Sequence, residues 1–193
     1  MRMNEIIIKS HYYYWNSKLT PNFCNSVKNY IDDLPLEESL VGSSLDYSVN
    51  KDVRRTQVKL WAIDNEEDSF QRIISLEMYR LAIEANQHFN FDVDFNSIVI
   101  QLGKYLADDK GYFNWHEDDS VLFRGHARKL TLAGILQPAK VGGQFEIEGG
   151  AEGVEQVAGT VISFPSYLKH QVTPVEKDDR YSVVCWISGP EWK

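Results

Sequence analysis

The sequence predicts a mostly β protein with flanking helices whose core is a double-stranded β-helix, or jelly roll. Three observations predict it. About eight short strand candidates follow one another from Ser97 onward between Gly, Pro and Asp turns, the spacing of an all-β sandwich or barrel. Two helical patterns come earlier, and helices followed by a run of strands place helices on the outside of a β core. Hydrophobic residues are 43% and charged residues 25% of the 193, an ordinary globular composition able to fill one sizeable core. We therefore expect a single domain over residues 1–193, with residues 1–95 as a supporting region of helices and strands and residues 96–190 as the jelly-roll core.

In chain order, "EIIIKSHYYYW" (residues 5–15) reads as one strand, rich in β-branched and aromatic residues. "LTPNFCNSVKNYIDDL" reads as a helix with Thr20 as N-cap and Pro21 at the first helical position. Phe23, Val27, Tyr30 and Ile31 then recur at helical spacing. "VRRTQVKLWAI" reads as a further strand, in which Arg54 and Arg55 could face a substrate groove, although one of an adjacent pair in a strand points to solvent. Residues 65–89 read as the clearest helix, opened by Glu66, Glu67 and Asp68 at the positive end of its dipole. The strands that follow are "SIVIQLGKY", "YFNWHED", "RKLTLAGILQ", "GQFEIE", "VEQVA", "TVISF", "LKHQVTPV" and "RYSVVCWIS". Gly142-Gly143 and Gly149-Gly150 read as hairpin turns.

Charge and cysteine content narrow the function classes. A net charge of -8 argues against nucleic-acid binding through a basic surface. Cys24 and Cys185 have neither zinc spacing nor a disulfide framework around them, so a cytoplasmic location is expected. The N-terminus lacks the apolar stretch of a signal peptide, and no segment approaches the ~20 apolar residues of a membrane helix.

The jelly roll is a fold that cupin-like metal enzymes use, which draws attention to "FNWHEDDS" (residues 113–120). In a strand, His116 and Asp118 project from one face, while Glu117 and Asp119 project from the other. An H-x-D in so acidic a chain also arises by chance. His170, at the start of the penultimate strand, can be brought beside His116 by an antiparallel jelly roll. Two histidines and a carboxylate on one face form the facial triad of non-haem Fe(II) oxygenases. Arg180 lies ten residues later; if it points inward it needs an anion, and its planar fork suits a carboxylate. Ser182 shares its face.

Several stretches together resemble the 2-oxoglutarate- and Fe(II)-dependent dioxygenases, in particular the prolyl 4-hydroxylase-like branch that includes the PKHD-type hydroxylases. "YFNWHEDDS", "RKLTLAGILQ", "VGGQFEIEGG" and "GTVISFPSYLKHQVTPVEKDDRYSVVCWIS" carry the resemblance over roughly residues 98–188. It implies that His116, Asp118 and His170 bind Fe(II), with O2 and 2-oxoglutarate as co-substrates and ascorbate (vitamin C) as reductant. It implies that Arg180 pairs with the distal carboxylate of 2-oxoglutarate, with Ser182 and Tyr105 as further contacts. "LADDKG" lengthens the spacing from Tyr105 to His116, which makes Tyr112 the alternative; Lys129 is an alternative to Arg180. The reaction implied is hydroxylation of a C–H bond, with succinate and CO2 as co-products and a prolyl residue of a protein or peptide as leading substrate. The same chemistry on another amino acid, a small molecule or a nucleobase stays open. So do a cupin dioxygenase that does without 2-oxoglutarate and a non-catalytic metal-binding jelly roll. Oligomeric state is not legible.

Overall fold

A strand buried on both faces needs a cover on each side, and this chain supplies two different covers. The computed structural model describes residues 7–9, 11–43, 46–150 and 154–190. Its elements begin with β1 (Ile7–Lys9), β2 (Tyr12–Trp15), α1 (Pro21–Asp33), β3 (Glu37–Glu38), β4 (Val41–Ser43) and β5 (Asp46–Ser48). β6 (Arg54–Arg55), β7 (Gln57–Ala62), α2 (Ser69–Phe89), β8 (Ile98–Tyr105) and β9 (Tyr112–His116) follow. Then come β10 (Leu122–Phe123), β11 (His126–Gln137), β12 (Val141–Gly142), β13 (Phe145–Ile147) and β14 (Val161–Pro165). β15 (His170–Val172), β16 (Val175–Lys177) and β17 (Arg180–Gly189) complete the described chain.

A nine-stranded major sheet runs β1-β2-β14-β11-β17-β8-β7-β3, with β10 on the end of β11. A four-stranded minor sheet runs β13-β15-β9-β6. The strand pairs of both sheets are antiparallel. This is the mostly β jelly roll with flanking helices that the strand count predicts. Alternation along the major sheet sorts its side chains. Ile98, Ile100 and Leu102 of β8, with Val183, Cys185 and Ile187 of β17, join one core with Val27 and Ile31 of α1 and Ile74, Met78 and Leu81 of α2. The opposite face of the same strands, carrying Gln101, Tyr105, Arg180, Ser182 and Trp186, turns toward the minor sheet. Phe145, Ile162, Phe164 and Val172 form a second core there.

Both helices start where a side chain takes up free backbone N–H groups. Thr20 Oγ1 accepts from the Phe23 amide at 3.2 Å, as expected for the cap of α1. Asp68 accepts from the Phe70 and Gln71 amides, both at 2.8 Å. The second helix therefore begins after Asp68, not at residue 65. Among the described residues no helix is long and apolar enough to cross a membrane.

Four strand expectations change. "EIIIKSHYYYW" is a hairpin of β1 on β2, registered Ile8 to Tyr13; Glu5, Ile6 and Ser10 lie outside the described residues. "VRRTQVKLWAI" divides at Thr56, giving β6 to the minor sheet and β7 to the major one. "LKHQVTPV" divides before Val175, because Pro174 has no N–H for a ladder and its carbonyl accepts from Gly143. "VEQVA" is not a strand. There the Gln156 side chain bonds both the N–H (3.1 Å) and the carbonyl (3.2 Å) of Phe145, as a strand partner would. Gly142 and Gly143 have φ of 72° and 63°, and they carry the chain from β12 to β13, between two sheets, rather than closing a hairpin. A Cβ on Gly142 would stand 2.0 Å from the Pro174 carbonyl oxygen. Residues 1–95 thus contribute strands to both sheets as well as both helices.

Asp32 fastens α1 to the major sheet, accepting hydrogen bonds from Lys28 (2.8 Å), Lys104 of β8 (2.7 Å) and Tyr181 of β17 (2.7 Å). Burial alone would raise its pKa, but the donors Lys104, Lys28 and Tyr181 hold it well below the usual carboxylate range. A depressed folded pKa contributes stability above the unfolded value of about 3.9, and that contribution is lost as pH falls below it. Asp32→Asn is expected to cost on the order of 1 kcal/mol at pH 7, since the site is partly solvated. In urea titrations between pH 3 and pH 7 its stability should depend less on pH than that of the unsubstituted protein.

Candidate metal centre

The minor sheet brings the two histidines together. β9 and β15 pair antiparallel with His170 opposite His116, and the ring centroids stand 4.1 Å apart. The Nδ1–H of His116 donates to the Asn114 carbonyl and that of His170 to the Leu168 carbonyl, each at 2.8 Å. These bonds select the tautomer and leave Nε2 of each ring with its lone pair facing inward. Burial first, then the neighbouring His170, push the pKa of His116 down to about 3, so at neutral pH this imidazole is an uncharged donor.

Asp118 completes the group, though not as the strand residue that alternation suggests. β9 ends at His116. The Asp118 N–H donates to the Ser166 carbonyl at 2.8 Å, and this turns the carboxylate back toward both rings. Its Oδ1 stands 3.7 Å from His116 Nε2 and its Oδ2 3.5 Å from His170 Nε2. Oδ2 accepts from Trp186 Nε1–H (2.8 Å) and from Thr131 Oγ1–H (2.9 Å). At 4% exposure, burial opposes the charge. The facing imidazoles, Arg128 and the Trp186 donor outweigh it and hold the carboxyl below its ordinary range. One donor atom from each of His116, Asp118 and His170 falls within a sphere of contacts no longer than 4.8 Å. Two imidazole nitrogens and one carboxylate oxygen can hold a divalent transition metal and leave coordination positions open.

Arg180 opens β17 opposite Tyr105 of β8, at 3% exposure, with its guanidinium 5.1 Å from the Tyr105 ring centroid. Among the described residues no carboxylate stands within ion-pair distance of it. Burial lowers its pKa, yet a guanidinium keeps its proton at any ordinary pH. Ser182 Oγ, on the same face, is buried without a hydrogen-bond partner. Gly103 faces it, and a Cβ there would lie 3.0 Å from that oxygen. Arg180, Ser182, Tyr105, His116, Asp118 and His170 line one cavity. A buried cation without an anion, an unpaired hydroxyl and adjacent space fit a small dicarboxylate. Tyr112 does not reach this cavity: its hydroxyl donates to the Lys51 carbonyl at 2.9 Å on the outside. Lys129 is buried at the β11 bulge and is not among the residues lining it.

Two contributors escape the sequence reading, Thr131 and Trp186, and two that it leaves without a settled role, Phe113 and Arg54, find one here. Thr131 and Trp186 anchor Asp118; extending the Arg180–Ser182 alternation to residue 186 would have found Trp186. Phe113 stacks on His116 with centroids 3.4 Å apart and 14° between the rings. Arg54 lies over Phe113 at 4.4 Å and is buried, leaving Arg55 as the outward member of the pair. No sequence signal announces that, because it depends on the chain changing sheets at Thr56. Trp115 alternates away from the centre and is 49% exposed.

Comparison with known proteins agrees with this geometry. Residues 100–188 match the 2OG-Fe(II) oxygenase superfamily. A PKHD-type hydroxylase of Hyphomonas neptunium is 35% identical over 84 residues, 40% of this chain and 38% of that one. The match thus spans about two fifths of this curated relative. Among solved structures, a Pseudomonas putida prolyl-4-hydroxylase superposes with a TM-score of 0.67 at 19% identity, covering 94% of this chain and 95% of that one. A Trichoplax adhaerens prolyl hydroxylase, in complex with a peptide fragment of the hypoxia inducible factor oxygen degradation domain, superposes with a TM-score of 0.70 at 17% identity. It covers 93% of this chain and 84% of that one. Both carry the same fold.

Trp186→Phe removes one of the two donors on Asp118 Oδ2. It is expected to weaken Mn(II) binding by about ten-fold, as loss of a partner behind a metal ligand commonly does. Titration calorimetry of Mn(II) into the two proteins measures it.

Proposed function

We propose, from the match of residues 100–188 to the 2OG-Fe(II) oxygenase superfamily and from the geometry of the centre, that this protein is an Fe(II)- and 2-oxoglutarate-dependent dioxygenase that hydroxylates a C–H bond. The observation that carries the reading is one cavity holding a His-Asp-His cluster and, beside it, a buried guanidinium with no anion of its own. His116 and His170 give the metal their Nε2 lone pairs, and Asp118 gives it a carboxylate oxygen. Arg180 takes the distal carboxylate of 2-oxoglutarate in its fork, with Ser182 and Tyr105 as hydroxyl partners. The bound metal, with 2-oxoglutarate and O2, supplies the oxidising power, and succinate and CO2 leave as co-products. Ascorbate serves as reductant.

This chain's own work is binding, orientation and exclusion of water. The carbonyls of Asn114 and Leu168 keep both imidazoles in one tautomer. Phe113 holds the His116 ring by stacking, and Phe164 meets the His170 ring edge-on at 4.7 Å. These rings and Trp186 wall the centre with apolar surface, which strengthens the charge pairing inside. The leading substrate is a prolyl residue of a protein or peptide. Its support is the prolyl hydroxylase naming of two structural neighbours, one of them bound to a peptide. Two free, buried cysteines suit a reducing, cytoplasmic setting.

Purified protein given Fe(II), ascorbate and 2-oxoglutarate is expected to form succinate. Asp118→Ala that kept full turnover would sink the proposal. Arg180→Met should weaken 2-oxoglutarate binding at least about thirty-fold, the loss expected when one partner of a buried charge pair is removed. Metal affinity, read separately by calorimetry, should stay near that of the unsubstituted protein.

A further inference from the structure

A second buried guanidinium stands at this centre, and the reaction proposed above gives it no task. Arg54 is 7% exposed in β6, and one of its terminal nitrogens donates to Gln101 Oε1 at 3.1 Å. Its Nε is buried with no hydrogen-bond partner. Among the described residues no carboxylate lies within ion-pair distance of it. Burial opposes its charge, and Tyr105 and Asp118 are the groups that favour it. Asp118, however, is the carboxylate assigned to the metal. A buried cation so placed is costly unless an anion arrives from outside.

The surroundings point to that anion's origin. Arg54 lines the cavity shared with Arg180 and also a wider cleft of about 670 Å³ that opens from the metal centre. Arg128 of β11 lines the same cleft, with its guanidinium 3.8 Å from the Trp186 ring centroid. Exposed acids, Glu37, Glu38 and Glu117, stand at the rim, and Glu38 is paired with Lys51. Inside the cleft Arg54 and Arg128 stand beside the metal-ligand candidate Asp118, and acids stand at its mouth, a distribution that suits an ampholyte. Arg54 is also only two stacking contacts, through Phe113, from the His116 ring.

We propose that Arg54, oriented by Gln101, binds the free carboxylate of the substrate and so selects an amino acid or a peptide C-terminus whose oxidised carbon lies a few bonds from that carboxylate. The inference rests on the dioxygenase reading and names the chemical class its substrate must carry. Arg180 holds the co-substrate and Arg54 the substrate.

The test uses the full chain loaded with Mn(II) and 2-oxoglutarate, so that binding is read without turnover. Two acid–amide pairs are titrated by calorimetry: L-proline against L-prolinamide, and glycyl-L-proline against glycyl-L-prolinamide. At least one acid is expected to bind about ten-fold or more tightly than its amide, the scale of a charge-assisted pair. Which pair shows the difference separates a free amino acid from a peptide terminus. Arg54→Met should erase the preference, and Arg54→Lys, which keeps the charge but not the fork, should keep part of it. Binding of 2-oxoglutarate to each variant reports that the site is folded. Equal binding of acid and amide, or no binding of either acid, overturns the inference and leaves the dioxygenase reading standing. Loss of 2-oxoglutarate binding in Arg54→Met with retained thermal stability also overturns it, by assigning Arg54 to the co-substrate. If the unsubstituted protein fails to bind 2-oxoglutarate, the dioxygenase reading itself falls and takes this inference with it.

Discussion

The Asp118 carboxylate is the point on which both sheets converge. Its N–H is tied to Ser166, its Oδ2 to Thr131 on β11 and Trp186 on β17, and its open side faces the two histidines of the minor sheet. A carboxylate buried this deeply is tolerable only when donors and cations surround it. Two donors come from the major sheet, the imidazoles come from the minor sheet, and a metal fits the remaining space. Loss of any one contributor leaves a charge stranded in an apolar wall, so the facing sheets and the centre between them depend on each other.

What holds the major sheet in place is on its other side. Alternate residues of β8, β11 and β17 face α1 and α2 with aliphatic side chains, and the residues between them carry the polar groups of the centre. A core of that kind tolerates polar side chains on the inner face because the outer face supplies the burial. Trp61 of β7, donating to Ser75 of α2 at 2.9 Å, and Asp32 of α1, accepting from β8 and β17, fix the layers laterally. The helices thus position the reactive face without touching it.

Electrostatics divide the interior into two compartments around the centre. Arg180 and Arg54 are both more than nine-tenths buried, and neither has a carboxylate partner within ion-pair distance among the described residues. Arg180 stands with an unpaired serine hydroxyl in the cavity of the centre, which Arg54 also lines, while Arg54 borders the wider cleft as well. The same guanidinium chemistry suits a resident dicarboxylate in the first case and an exchanging carboxylate in the second.

The strand-rich fold, both helices and the His116–Asp118 pair are legible in the chain, because periodicity, cap residues and a short motif depend on neighbours along it. His170 and Arg180 are legible only through the jelly-roll arrangement and the family resemblance of the last strands. Splits at Thr56 and before Val175, and the loss of the strand at "VEQVA", were not legible. In each case a distant partner decides: the strand on which β6 lands, the Gly143 amide, the backbone of Phe145. Asp118 shows the same division within one residue. Alternation chose it for the right face, but β9 ends before it and the Ser166 carbonyl aims it. Contacts between distant strands alone settle that Trp186 and Thr131 hold that carboxylate, that Tyr105 and not Tyr112 faces Arg180, and that Arg54 turns inward. Hydrogen-bond partners far apart in sequence carry no local signature, so their pairing exists only once the sheets have closed.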